Sequence, residues 1–178
     1  MNTKQSAPDF PETTAPTQVS PLHLKTILVP LDLSEHSLQA LHYAISLAEP
    51  FGAKLTILHV VPPPVYSAEV ATADISWPEH FEIVEEQLSN IRAKLVPRDL
   101  PADLVIRHTF ACDGILEVAH EIEADLIVAT THGRTGLKHL FMGSTAENIV
   151  RRAPCPVLIV RDLERDVTRH STAHQETN

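Results

Sequence analysis

Residues 125–152 read DLIVATTHGRTGLKHLFMGSTAENIVRR. The first six, Asp125 to Thr130, are an apolar run of strand length, the composition of a parallel strand buried on both faces. From Ser144 to Arg152 the pattern changes to a helix, with Ile149 and Val150 inside it. Between them lies a loop of unusual composition. The whole chain has five glycines, and Gly133, Gly136 and Gly143 fall in this loop. Glycine serves where backbone must open its dihedrals or approach another group closely, so a loop built this way is a candidate holder of a ligand.

The same strand and helix unit repeats on the amino-terminal side. Thr26 to Leu31, TILVPL, is a second continuous apolar run and ends at Asp32. Ser34 can cap a helix whose Leu38, Leu41, Ile45 and Ala48 share one side, with Gly52 as its stop. Leu55 to Val61 is the next strand, halted by Pro62, Pro63 and Pro64. Pro62 to Pro78 has no periodicity and reads as a lid or an excursion. Glu79 to Leu95 is an amphipathic helix, with Phe81, Val84, Leu88, Ile91 and Leu95 at spacings of 3 and 4. Asp103 to Thr109 alternates as an edge strand does, and Asp113 can cap a helix that turns Ile115, Val118, Ala119 and Ile122 inward. Val157 to Val160 completes five strands and four helices. The fold class is therefore α/β: one Rossmann-like open parallel sheet, in the order 3-2-1-4-5, with helices on both faces. The polar, proline-rich residues 1–22 read as a disordered leader, 23–162 as the domain, and 163–178 as a flexible tail.

Composition narrows the function. A net charge of -9 and an aromatic content of 4% argue against a nucleic-acid partner, which selects basic surfaces and stacking platforms. No stretch reaches the roughly 18 apolar residues of a membrane span, and MNTKQSAPDFPETT is not a signal peptide. Cys112 and Cys155 have no metal-ligand spacing and read as two thiols of a reducing compartment, which places the chain in the cytoplasm. Eleven histidines form no closed ligand set, so no metal site is expected from the protein alone. The P-loop, the G-x-G-x-x-G fingerprint, the G-x-S-x-G elbow and HExxH are all absent.

In open α/β sheets ligands sit outside the carboxyl ends of strands, where the strand order reverses. In a 3-2-1-4-5 order, Asp32 and the loop after Thr130 face one crevice. Gly133 and Gly136 allow N–H groups to turn toward an anion, and Gly143 with Ser144 opens a helix whose first turn attracts phosphate. From His132 to Arg152 the chain carries Arg134, Lys138, Arg151 and Arg152 against Glu147, +3 within a total of -9. The same residues support a second reading. Ser144-Thr145-Ala146-Glu147 fits a capping box, in which the helix satisfies its own first donors and Glu147 repels phosphate. Local chemistry leaves cap and cradle equally open.

The residues also carry a resemblance. THGRTGLKHLFMGSTAENIVRRAPCPVLIVR, 131–161, resembles the C-terminal signature of the universal stress protein family. ILVPLDLSEHSLQALHYAISLA and LTILHVV are similar to its first strand and helix and its second strand. The resemblance spans about Lys25 to Arg161. It implies an adenine-nucleotide-binding fold, usually dimeric through the last strand (157–161 here). Nucleotide-binding members share G-2x-G-9x-G-[S/T], which Gly133, Gly143 and Ser144 match, while Thr130 stands in the place of the first glycine. That substitution puts a side chain where backbone should approach the nucleotide. Gly136, Arg134 and Thr145 lie within the same implied cradle. Pro30 and Asp32 match a P-x-D whose carboxylate meets the ribose or a magnesium carried by the phosphates, and Val60 matches the residue whose main chain meets adenine.

The function this implies is a stress-response regulator that binds ATP, or ADP or AMP, with little or no catalysis. The chain shows no evident general base or water-positioning residue. Two alternatives stand beside it: a slow ATPase or autophosphorylating protein, with Ser144 or Thr145 as acceptor, and a nucleotide-free dimeric interaction protein in which Thr130 closes the site and the dimer surface or the Trp77 segment meets partners.

Overall fold

Thr26–Pro30, the first apolar run, is strand β1 and lies at the centre of the sheet. A computed structural model describes residues 23–63, 77–131 and 143–161, with backbone alone for 77–80. After β1 come α1 (Glu35–Phe51), β2 (Lys54–Val61), α2 (Trp77–Leu95) and β3 (Ala102–His108). Then follow α3 (Ala111–Glu121), β4 (Leu126–Thr130), α4 (Ser144–Arg152) and β5 (Val157–Val160). All strand pairs are parallel, and the order is β3-β2-β1-β4-β5.

Strand alternation divides the core in two. Ile27 and Val29 of β1 join Leu55 and Ile57 of β2, with Leu41 of α1 and Leu88 of α2, on one face. Leu28 and Leu58 point the other way, into a second cluster with Ile115 and Val118 of α3, Ile127 of β4 and Ile149 of α4. Consecutive residues of a strand face opposite sides, so a strand covered on both must be apolar throughout. Each fully buried Leu or Ile contributes roughly 1.5–3 kcal/mol by leaving water.

The helix ends follow local chemistry where it is strong. Ser34 is the N-cap of α1 and its side chain accepts from the Ser37 N–H, while Gly52 closes the helix in the left-handed region at φ 62°. The buried stripe runs through Ser37, Ala40, Leu41, Ala44, Ile45 and Ala48, leaving Leu38 only half-buried. At the opposite end of the sheet, the Asp125 carboxylate accepts from the Lys25 and Thr26 N–H groups at 2.7 and 2.9 Å, tying the start of β1 to that of β4.

Two expectations are corrected. Asp113 does not cap α3. Phe110 holds the extended N-cap conformation, without a side-chain cap bond, and Asp113 already lies in the helix, 3.3 Å from Arg152. The segment after Val61 also ends sooner than Pro78, because α2 begins at Trp77. A proline in the first turn is compatible with a helix, since its missing N–H had no partner there anyway. The rest of that segment, 64–76, lies outside the described residues, as do the leader and 162–178.

Candidate nucleotide crevice

The chain builds β1, β2 and β3 outward in one direction, then crosses to place β4 on the other side of β1. The order therefore reverses between β1 and β4. Pro30 is the last residue of β1 and Thr130 the last of β4, so the expected crevice opens between Asp32 and Thr131. On the far side of β1 the ladder stops at Pro30↔Leu58, followed by Leu31 N–H donating to the Leu58 carbonyl at 2.7 Å. β2 runs on to Val61, paired with His108, so Val60 stands past the end of β1's ladder at the same end of the sheet.

The turn after β1 is held from several directions. Asp32 Oδ1 accepts from the Ser34 N–H at 3.0 Å and from the Ser34 hydroxyl at 2.5 Å. Ser34 Oγ in turn accepts from the Ser37 N–H at 3.2 Å, which links the carboxylate to the first turn of α1. Between them Leu33 sits at φ 66°, a region that costs an L-residue about 1–2 kcal/mol. Backbone strain of this kind persists where surrounding contacts over-determine it, often at functional sites. The buried His59 ring adds another tie, its Nδ1 lying 2.6 Å from the Leu31 carbonyl. A carbonyl can only accept, so Nδ1 carries the proton.

The loop after β4 is fastened where it returns. Thr131 N–H donates to the Val160 carbonyl at 3.3 Å, and Gly143 N–H donates to the Thr131 carbonyl at 2.9 Å. A Cβ on Gly143 would stand 3.1 Å from that carbonyl oxygen. Gly143 has φ -61°, so close approach rather than an open dihedral is what suits glycine here. Alternation along β4 places Thr130 with Val128 on the α1 side of the sheet.

The capping box does not form. Gly143 is the N-cap and offers no side-chain acceptor, and Ser144 is already the first helical residue. A helical serine cannot reach the amide that an extended N-cap serine reaches. Glu147 points down the helix to Arg151 at 3.0 Å instead of back toward the start. The N-cap residue thus offers no side-chain acceptor to the first-turn N–H groups of α4, which lie beside the exposed Ser144 and Thr145. The +3 local charge needs correction too. Arg151 pairs with Glu147 and Arg152 with Asp113, so two of its four cations are engaged at the carboxyl end of α4. At the other end the helix start itself favours an anion. Gly133, Arg134 and Gly136 lie outside the described residues.

Several contributors went unread in the sequence. Gly114, in α3, packs so close to the end of β2 that a Cβ would stand 2.7 Å from Thr109 Cγ2 and 3.1 Å from Val60 Cγ2. A lone glycine inside an apolar helix pattern is the signal that could have shown it. The Ser34 cap is legible in the sequence but its bonds to Asp32 are not, and the Thr131 carbonyl carries no signal at all. Among the described residues no group of His, Cys, Asp and Glu could hold a metal, and no helix is long and apolar enough to cross a membrane.

Comparison with known proteins agrees with this architecture. The universal stress protein family profile matches residues 23–161. A universal stress protein of Methanocaldococcus jannaschii is 32% identical over 148 residues, 80% of this chain and 85% of its own. The universal stress protein from Lactobacillus plantarum has the same fold, with a TM-score of 0.62 at 25% identity over 79% of this chain and 100% of its own. A universal stress protein crystallised in complex with cAMP gives 0.57 at 25% identity, over 79% and 98%. With the family profile matching residues 23–161 and a relative 32% identical over 80% of the chain, the chain belongs to the universal stress protein family.

Proposed function

We propose that this protein is a stress-response regulator that binds an adenine nucleotide, ATP in the first instance, in the crevice between β1 and β4, with little or no catalysis. The observation that carries the reading is the start of α4, where Gly143 stands in place of a side-chain cap and Glu147 turns away to Arg151. A helix start left in this state suits a phosphate. The cAMP complex of a related protein supports an adenine nucleotide as the ligand.

In this reading the phosphates meet the first-turn N–H groups and the hydroxyls of Ser144 and Thr145, and Gly133, Arg134 and Gly136 belong to the same site by the resemblance. The ribose meets Asp32, with Pro30 beside it, and the adenine lies against the main chain at Val60. A carboxylate is a hard oxygen donor, so Asp32 also suits a magnesium ion carried by the phosphates. Its hold on Ser34 fixes the carboxylate before ligand arrives, which lowers the ordering cost of binding.

Mass spectrometry of the small molecules released from the isolated protein tests the ligand class, with an adenine nucleotide expected. A nucleotide-free preparation that also takes up none when offered would support the interaction-protein alternative. For turnover, the expected result is phosphate release no faster than in Gly143→Asp. A clear rate that this substitution or Ser144→Ala abolishes would favour the enzymatic alternative.

A further inference from the structure

At the amino end of the sheet, remote from the crevice, α2 and the turn into β3 enclose a groove of about 490 Å³. Its floor is apolar, from Val96, Leu100 and Leu104, and its rim carries Ser89, Arg92 and Arg98. No acidic residue lines it, and neither arginine makes an ion pair among the described residues. In a chain of net charge -9, two unpaired guanidinium groups over an apolar floor form a local inversion of charge. They fit an apolar side chain flanked by carboxylates.

We infer that the groove is occupied by the chain's own leader, through Pro8-Asp9-Phe10-Pro11-Glu12. Phe10 is the one aromatic residue in 1–22, and Asp9 and Glu12 are the only acids there. The apolar side chain and the two charges thus coincide in one short stretch, matching the floor and rim. Each of its two prolines fixes one backbone dihedral in advance, which reduces the entropy lost on docking.

The geometry of the chain permits the contact. The leader joins the fold at His23, and Leu24 is buried in the same core cluster as Val96 and Leu100. Lys54 N–H donates to the Lys25 carbonyl and Leu55 N–H to the Pro101 carbonyl, so the start of β1 and the residue after Leu100 flank β2 on either side. They are therefore about two strand spacings, roughly 10 Å, apart. The chain between Phe10 and His23 can extend about 40 Å, several times that gap. Docking in this position clasps the carboxyl half of α2 to the edge strand β3 and covers the groove against other occupants.

The test is NMR on the full, isotopically labelled chain. In the wild type the heteronuclear NOE of the Asp9, Phe10 and Glu12 amides should exceed that of Thr13 to Ser20. Phe10→Ala should bring it down to their level and shift the methyl resonances of Val96, Leu100 and Leu104, which lose the aromatic ring. Asp9→Lys with Glu12→Lys should do the same, and adding Arg92→Glu with Arg98→Glu should restore the wild-type values. Unchanged β1 amide shifts show that each variant remains folded. The inference is overturned if residues 9–12 match the rest of the leader in the wild type and Phe10→Ala moves none of those methyls. It is equally overturned if the shifts grow with protein concentration, which would put a second copy in the groove.

Discussion

At position 143 a hydrogen atom, where other residues carry a carbon, lets the first turn of α4 close on the Thr131 carbonyl. The glycine cluster was legible as a sign of close approach or open dihedrals, and at Gly143 close approach is the reason. Of the two readings left open, the capping box fails because S-x-x-E is offset by one residue: the extended conformation falls on Gly143, not Ser144. Sequence spacing alone does not say which residue is the first helical one. Thr130 stands where the resemblance implies a glycine, which makes Thr130→Gly informative. If its side chain obstructs the nucleotide, the substitution should lower the ATP dissociation constant in equilibrium titration, whereas unchanged affinity clears Thr130. Ser34→Ala removes both an N-cap and the partner of Asp32 Oδ1. It should cost about 1 kcal/mol in urea unfolding and weaken nucleotide binding as well. Cys155 yields a pH prediction. Burial, and after it the nearby Asp125 carboxylate, raise the thiol above its ordinary value. The folded state then holds that proton more tightly than the unfolded chain, so its contribution is complete below the unfolded thiol's pKa and fades as pH rises through the folded value. Under reducing conditions, Cys155→Ala should therefore lose less stability than the wild type between neutral pH and pH about 10.

Among the elements, the central strands were the most legible, because burial on both faces leaves a continuous apolar run that few other structures produce. All five strands lie within about one residue of their expected limits. Helix starts were less so, since a polar residue near a strand end resembles a cap whether or not the backbone there is extended, as Asp113 shows. Gly114 is marked in the sequence only as a lone glycine in a helix pattern, because its role depends on how closely α3 approaches β2, which is a property of the packed pair. Gly114→Ala gains roughly 1 kcal/mol in helix propensity but forces a carbon against Thr109 and Val60. Overpacking of this kind costs typically 1–3 kcal/mol, so a net destabilisation of about 1 kcal/mol is expected in denaturant unfolding. Because Val60 must shift, ATP affinity should fall along with it. β5 is the edge strand next to β4, and Leu158 on it is 36% exposed. An edge left open invites pairing, and a second copy of the chain is our proposed cover. Leu158→Arg should then convert a dimer to a monomer in sedimentation at fixed concentration. A wild type that sediments as a monomer at high concentration would remove that proposal.

For the whole molecule, the strand order does the most to organise the chemistry. Because β4 returns to the opposite side of β1, a turn near residue 32 and a loop after residue 130, distant in sequence, end up at neighbouring strand ends. That convergence was legible once the alternation of strands and helices was read, since parallel crossovers leave few possible orders. What the sequence could not show was the division of charge: the two cations at the end of α4, Arg151 and Arg152, are tied to Glu147 and Asp113. Calorimetric titration of ATP into the full-length protein and its Gly143→Asp variant tests the proposed nucleotide site most directly. Aspartate is a good N-cap but, like any side chain, it brings a carbon to 3.1 Å from the Thr131 carbonyl oxygen, so Gly143→Ala serves as the uncharged control for the negative charge that Gly143→Asp places where the phosphates would lie. The expected result is saturable one-site binding to the wild type, weakened at least about tenfold, or 1.4 kcal/mol, in the variant. Equal affinity in the two folded proteins, or no saturable binding to the wild type, would contradict a nucleotide site built on the start of α4.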